Sequence, residues 1–267
     1  MEYPSPVSAP NRLQPDRPWS LGEALLLWVL SVIFVLVIPI FVAMPFIVAS
    51  EQGGGGNVSE NPSVVLASIA GILPAHLLTL AVAWWLVRRR SSGGFLDTLG
   101  WRWNQFGPMI SILLTIGFLV LASVAATLFP PEDNDFLKLL RSSPDAIYFV
   151  SFVAIFTAPL VEEVVYRGVL FPALKKSHGT IFSVVSVTAL FALVHVPQYW
   201  PSFTTIGIIL SLSLFLTVMR NISDSLLPCF IIHLVFNSLQ VVSLLMFPDQ
   251  ILGEDKPLPT IIGKLFT

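Results

Sequence analysis

Two adjacent carboxylates, Glu162 and Glu163, follow sixteen uncharged residues, and Arg167 stands four positions after the second. Lipid penalises an ionised group at the bilayer centre by at least about 2.5 kcal/mol, so charges inside an apolar span mark function by default. On a helix, residues four apart share a face. Glu163 therefore pairs with Arg167, while Glu162, about 100° further round, is left free. The plain alternative is an ion cluster that only locks helices together, but one Glu–Arg pair satisfies that role and the second carboxylate has no partner on its own helix. Imidazoles enter from two other apolar stretches: His195 in Phe191-Ala192-Leu193-Val194-His195, and His233 in His233-Leu234-Val235-Phe236-Asn237. Measured from a hairpin tip at Ser177, Glu162 lies 15 residues back and His195 18 forward, roughly level on antiparallel helices. His233 and Asn237, four apart, share one face.

A carboxylate and an imidazole on either side of a water remove its proton and return it to a leaving amine. An imidazole and a carboxamide donate hydrogen bonds to the oxyanion that develops. Hydrolysis of a peptide bond needs these parts and no nucleophilic side chain. The same atoms have a second use: Glu162, His195 and His233 supply one oxygen and two nitrogens, a donor set that holds catalytic zinc with one position open. No His-Glu-x-x-His helix is present and the histidines sit on different stretches. The metal-free reading is therefore preferred, no cofactor is assigned, and zinc remains the alternative.

The elements that must position these groups are membrane helices. The chain has 267 residues, 55% of them apolar, and only 11% charged where a soluble chain carries about 25%. Mean hydropathy is +0.82. The hydrocarbon core takes about 20 residues to cross as helix, and seven stretches qualify: 24–49, 63–87, 108–129, 146–174, 180–198, 203–219 and 225–247. The expected fold is all-α, a polytopic membrane helical bundle of about seven transmembrane helices. Its expected parts are a cytoplasmic tail (1–20), N-terminal transmembrane helices and loops (21–145), a catalytic core (146–247) and a C-terminal tail (248–267). A formal net charge of -2 gives no basic field for nucleic acid. Threaded with the N-terminus inside, the spans leave Arg12, Arg17, Arg88, Arg89, Arg90, Arg102, Lys175, Lys176 and Arg220 on the cytoplasmic side, against Lys138, Arg141, Lys256 and Lys264 outside. That asymmetry favours a cytoplasmic N-terminus.

Several residues are read as structural. The first apolar run is too long for a signal sequence and is retained as a span, with Gly53–Gly56 as a flexible connector. Cys229 reads as a small apolar filler, and one cysteine permits no internal disulfide. His76 stands alone in its span, as hydrogen-bonded core or cavity lining. Phe191 is expected to pack behind His195. Tyr166, one turn after Glu162, reads either as its hydrogen-bond partner or as an interfacial anchor. Pro159, three residues before Glu162, should disturb the helix and free backbone carbonyls. Residues 131–145 read as a solvated loop with a short amphipathic helix.

Three ordered motifs carry a resemblance: Glu-Glu-x-x-x-Arg at Glu162, Glu163 and Arg167, Phe-x-x-x-His at Phe191 and His195, and His-x-x-x-Asn at His233 and Asn237. Over roughly 146–245 the sequence resembles the CAAX-processing and bacteriocin-processing (CPBP, or Abi) intramembrane endopeptidases. The resemblance implies that Glu162 activates water with His195, that His233 and Asn237 stabilise the oxyanion, and that Glu163 and Arg167 are the supporting pair. It also implies membrane lipid and a membrane-associated protein or peptide substrate as partners, and a bacterial inner membrane as the location. Family members cleave prenylated C-terminal peptides in eukaryotes, and some bacterial ones serve in bacteriocin immunity or maturation. Well-studied relatives commonly carry eight spans. The competing functions are a non-catalytic scaffold or immunity protein and a transporter or proton relay. Against the relay, no internal repeat is evident. Oligomeric state is not legible.

Overall fold

The computed structural model describes residues 19–52, 58, 61–142 and 146–247. Most of the expected N-terminal tail, the Gly53–Gly56 connector, the C-terminal tail from 248, and Arg12, Arg17, Lys256 and Lys264 lie outside the described residues. Among the described residues every regular element is helical.

The first span is α1 (Leu21–Gln52), started by a reciprocal cap. The Ser20 amide donates to Glu23 Oε2 at 2.8 Å and the Glu23 amide donates to Ser20 Oγ at 3.2 Å. Its antiparallel neighbour is broken in two, α2 (Pro62–Ala70) and α3 (Ile72–Arg90), at Gly71. The break lies against α1. A Cβ on Gly71 would stand 2.6 Å from the Pro39 Cα, so only hydrogen fits where the two backbones meet. Arg90 closes the other end on Glu23 at 2.6 Å. After the short α4 (Phe95–Leu99) comes α5 (Pro108–Leu128), apolar all round, with Met109 74% and Leu121 69% exposed on its outer face. Such a surface is stable against lipid rather than water. The amphipathic α6 (Asp135–Ser142) follows where a short helix is expected.

The fourth span, Ala146–His178, is the structural axis of the site. It runs as α7 (Ala146–Phe152), a π-helical turn Val153–Thr157, α8 (Ala158–Glu162), a longer π-helical stretch Glu163–Leu170, and α9 (Phe171–His178). Three single helices complete the bundle: α10 (Thr180–Tyr199), α11 (Phe203–Ser223) and α12 (Leu227–Met246). Among the described residues, seven helices are long and apolar enough to cross a membrane, as the hydropathy requires. The fourth and sixth run about one turn further than expected, ending in polar turns at Lys175–His178 and Arg220–Ser223.

Prolines explain the two wide stretches of the fourth span. At the first, the Ala158 amide donates five residues back to Val153 O. The next amide in that register would serve Ala154 O, but it belongs to Pro159 and does not exist. Asn237 Nδ2 from α12 takes the open carbonyl instead, at 2.8 Å. The second stretch repeats the pattern: Phe171 donates to Tyr166 O, Pro172 cannot serve Arg167 O, and Arg220 Nε from α11 does so at 3.1 Å. Both carbonyls freed by proline are thus satisfied from other helices, as backbone in lipid must be.

Burial is concentrated around the same stretch. Val164, Val165, Val169, Leu170 and Phe171 pack against Leu27 of α1, Leu86 and Val87 of α3, and Phe191 of α10. The α11–α12 turn, with Asp224 at φ 47°, is strapped to the segment after α4: the Leu226 amide and Ser225 Oγ both donate to Gly100 O, and Arg220 Nη2 donates to Leu99 O at 3.2 Å.

Candidate active site

Exposure separates the two carboxylates. The Glu163 and Arg167 side chains are 0% exposed, whereas those of Glu162 and His195 are 22% and 19% exposed. Glu162 is therefore the accessible carboxylate of the two.

Glu163 does more than pair with Arg167. Its Oε1 accepts from Arg167 Nη1 at 3.1 Å and also lies 2.9 Å from His233 Nδ1. Arg167 spends its remaining donors on α11: Nη2 on Ser213 O at 3.0 Å and Ser213 Oγ at 2.8 Å, Nε on Thr217 Oγ1 at 3.3 Å. Its guanidinium also lies 4.6 Å from the centre of the Phe191 ring. A buried guanidinium is tolerable only when its donors are filled in this way; Glu163 Oε2 is the atom of the pair left without a hydrogen-bond partner among the described residues.

Both histidines have one nitrogen tied down and the other turned toward Glu162. His195 Nδ1 lies 2.7 Å from Phe191 O, a carbonyl that can only accept, so Nδ1 carries the hydrogen and Nε2 keeps its lone pair in the neutral ring. That Nε2 stands 3.9 Å from Glu162 Oε1. His233 Nδ1 donates to the Glu163 carboxylate, and its Nε2 stands 3.6 Å from Glu162 Oε2. Phe191, 1% exposed, holds the His195 ring at 4.8 Å and that of His233 at 6.1 Å between centroids. Three helical segments thus converge on Glu162. Both separations, 3.6 and 3.9 Å, are longer than a direct hydrogen bond, so the carboxylate faces the two Nε2 atoms without bonding either.

Asn237 lies one turn beyond His233, with one of its two Nδ2 hydrogens given to Ala154 O. Tyr166 fills neither expected role: it is 4% exposed and its hydroxyl accepts from Trp28 Nε1 at 3.0 Å. An inward tyrosine that close to α1 finds a donor there before it finds Glu162. Cys229 is fully buried, its thiol directed at Leu216 O and Ser225 O. Among the described residues, no three His, Cys, Asp or Glu side chains are grouped as a metal site. The sequence reading missed the Glu163–His233 link, the Arg167 partners and the bond from His76 to Thr157. Ser213 and Thr217, four apart in an apolar helix, were the available signal for the second; the others leave no trace in spacing.

An all-α membrane bundle with a carboxylate facing two oriented imidazoles has the parts of a hydrolase. Residues 144–239 match the family model of the type II CAAX prenyl endopeptidase Rce1-like proteins. That stretch carries Glu162, Glu163, Arg167, His195, His233 and Asn237, and over it the chain is similar to that family. No curated protein and no solved structure matches the chain.

Proposed function

We propose that this protein is an intramembrane endopeptidase that hydrolyses a peptide bond of a membrane-associated protein or peptide. The observation that carries the reading is the partly exposed Glu162 carboxylate set opposite the Nε2 atoms of His195 and His233. Water between Glu162 and His195 gives up a proton as its oxygen attacks the scissile carbonyl. The same pair returns the proton to the leaving amine. His233, held by Glu163, presents Nε2 to the developing oxyanion when protonated, and the second Nδ2 hydrogen of Asn237 is free to join it. Glu163 and Arg167 keep His233 in place and touch no substrate.

Residues 146–247 form the catalytic core in this reading, and the preceding helices buttress it. The excess of Lys and Arg on alternate loops supports a cytoplasmic N-terminus, and the family's bacterial members support an inner-membrane location. A peptide ending in a prenylated CAAX sequence is the first substrate to try, because the matched family is described by that activity. The deciding experiment compares membrane-peptide products by mass spectrometry from cells carrying wild-type or Glu162→Ala protein at equal abundance. Products present in the first and missing in the second support the reading, and equal products refute it. Repeating the purified reaction after chelation, with metal analysis, separates water activated by Glu162 and His195 from water activated on zinc.

A further inference from the structure

The three motifs and the mechanism built on them leave one buried histidine of the spans unused. His76 sits on α3, 7% exposed, with Nδ1 2.9 Å from Thr157 Oγ1. Thr157 closes the first wide turn of the fourth span, five residues before Glu162. We propose that His76 is a positioning residue: through Thr157 it fixes the Val153–Thr157 turn, and with it the direction in which Glu162 presents its carboxylate to His195 and His233. The inference rests on the endopeptidase reading for its consequence, not for its geometry.

The wide turn has little to hold it from within. Pro159 removes the next amide of the π register, and the carbonyl so freed is tied to α12 by Asn237. His76 provides a second tie, from a different helix, at the other end of the same five residues. The Thr157 hydroxyl also donates to Val153 O at 3.4 Å, and without His76 it is left with that long bond to its own helix. Relaxing a π turn to α geometry takes one residue out of the turn and rotates the downstream half of the span by about 100°. Glu162 belongs to that half. Such a rotation carries its carboxylate away from the 3.9 and 3.6 Å separations at the two imidazoles.

The test uses the full chain in detergent and a fluorogenic peptide ending in a prenylated CAAX sequence. His76→Phe keeps ring volume and removes the bond; His76→Gln restores a donor at a similar reach. His76→Phe is expected to lower kcat about tenfold with KM changed less than about twofold, His76→Gln to recover most of that loss, and Thr157→Val to match His76→Phe. The double variant His76→Phe/Thr157→Val should be no worse than about tenfold down, because both changes break one bond. A His76→Gln enzyme as slow as His76→Phe, or a double variant about a hundredfold down, overturns the proposal. Amide hydrogen exchange over 153–163 gives a second readout that needs no turnover. It should quicken in His76→Phe and return toward wild type in His76→Gln, and exchange unchanged in His76→Phe also overturns the proposal. If the wild-type protein leaves this peptide uncut, the prenylated CAAX substrate falls alone and exchange still decides the role of His76. If His76→Phe does not fold, Thr157→Val carries the comparison with His76→Gln.

Discussion

Removing the arginine beneath the site isolates the worth of its buried ion cluster. Arg167→Met keeps most of the side-chain length and deletes four hydrogen bonds, to Glu163 Oε1, Ser213 O, Ser213 Oγ and Thr217 Oγ1. At about 0.6 kcal/mol for a polar contact between membrane helices, four bonds account for about 2.4 kcal/mol. The stranded charge is the larger effect: a buried carboxylate that loses its counter-ion destabilises by about 3–5 kcal/mol. Glu163 is 0% exposed and Oε2 has no hydrogen-bond partner among the described residues, so water offers little relief. Unfolding of the purified protein in mixed micelles of rising SDS fraction should show a loss of about 3–5 kcal/mol for Arg167→Met. In the double variant Arg167→Met/Glu163→Gln no charge is stranded, and the amide oxygen still accepts from His233. Its loss should fall short of the sum of the two single losses by at least about 2 kcal/mol. Additivity within about 0.5 kcal/mol would show that the two residues do not act as one unit and refute the reasoning.

Three other outcomes are expected. Gly71→Ala places a methyl 2.6 Å from the Pro39 Cα, backbone that cannot step aside, and should cost about 1–3 kcal/mol in the same SDS titration. Pro159→Ala returns an amide that competes with Asn237 for Ala154 O. It should lower peptide cleavage about 10- to 100-fold by moving Glu162, while intact protein accumulates normally in the membrane. Because Cys229 is buried, the native chain should resist maleimide; in intact cells an impermeant maleimide should then label Lys138→Cys and not Lys176→Cys, and the reverse pattern would invert the proposed orientation.

The spans were legible because lipid imposes length and composition on them, and all seven fall where apolar runs do. The Glu163–Arg167 pair was legible for a local reason: four residues on one helix determine who meets whom. Pro159 also announced itself, as a lost amide, though not that the lost bond would widen the turn. The hairpin after Ser177 also put Glu162 level with His195, but contacts between helices distant in the chain were hidden. Glu163 meeting His233 across 70 residues, and His76 meeting Thr157 across 81, come from packing that no spacing rule encodes. Tyr166 shows the same limit in reverse. Its place one turn after Glu162 suggested a partner on its own helix, and Trp28 from the first span claimed it.

The two proline-freed carbonyls bear on how the protein is made. When the fourth span enters the bilayer, Ala154 O and Arg167 O lack the groups that complete them, since Arg220 lies 53 residues later than the carbonyl it serves and Asn237 lies 83 residues later. An open carbonyl in hydrocarbon costs several kcal/mol, so the span holds its working shape only once the last helix has been synthesised and docked. On the endopeptidase reading, nascent chains halted before that helix would be inert: hydrolytic competence would arrive only with its docking, and half-built copies would pose no threat to neighbouring membrane proteins.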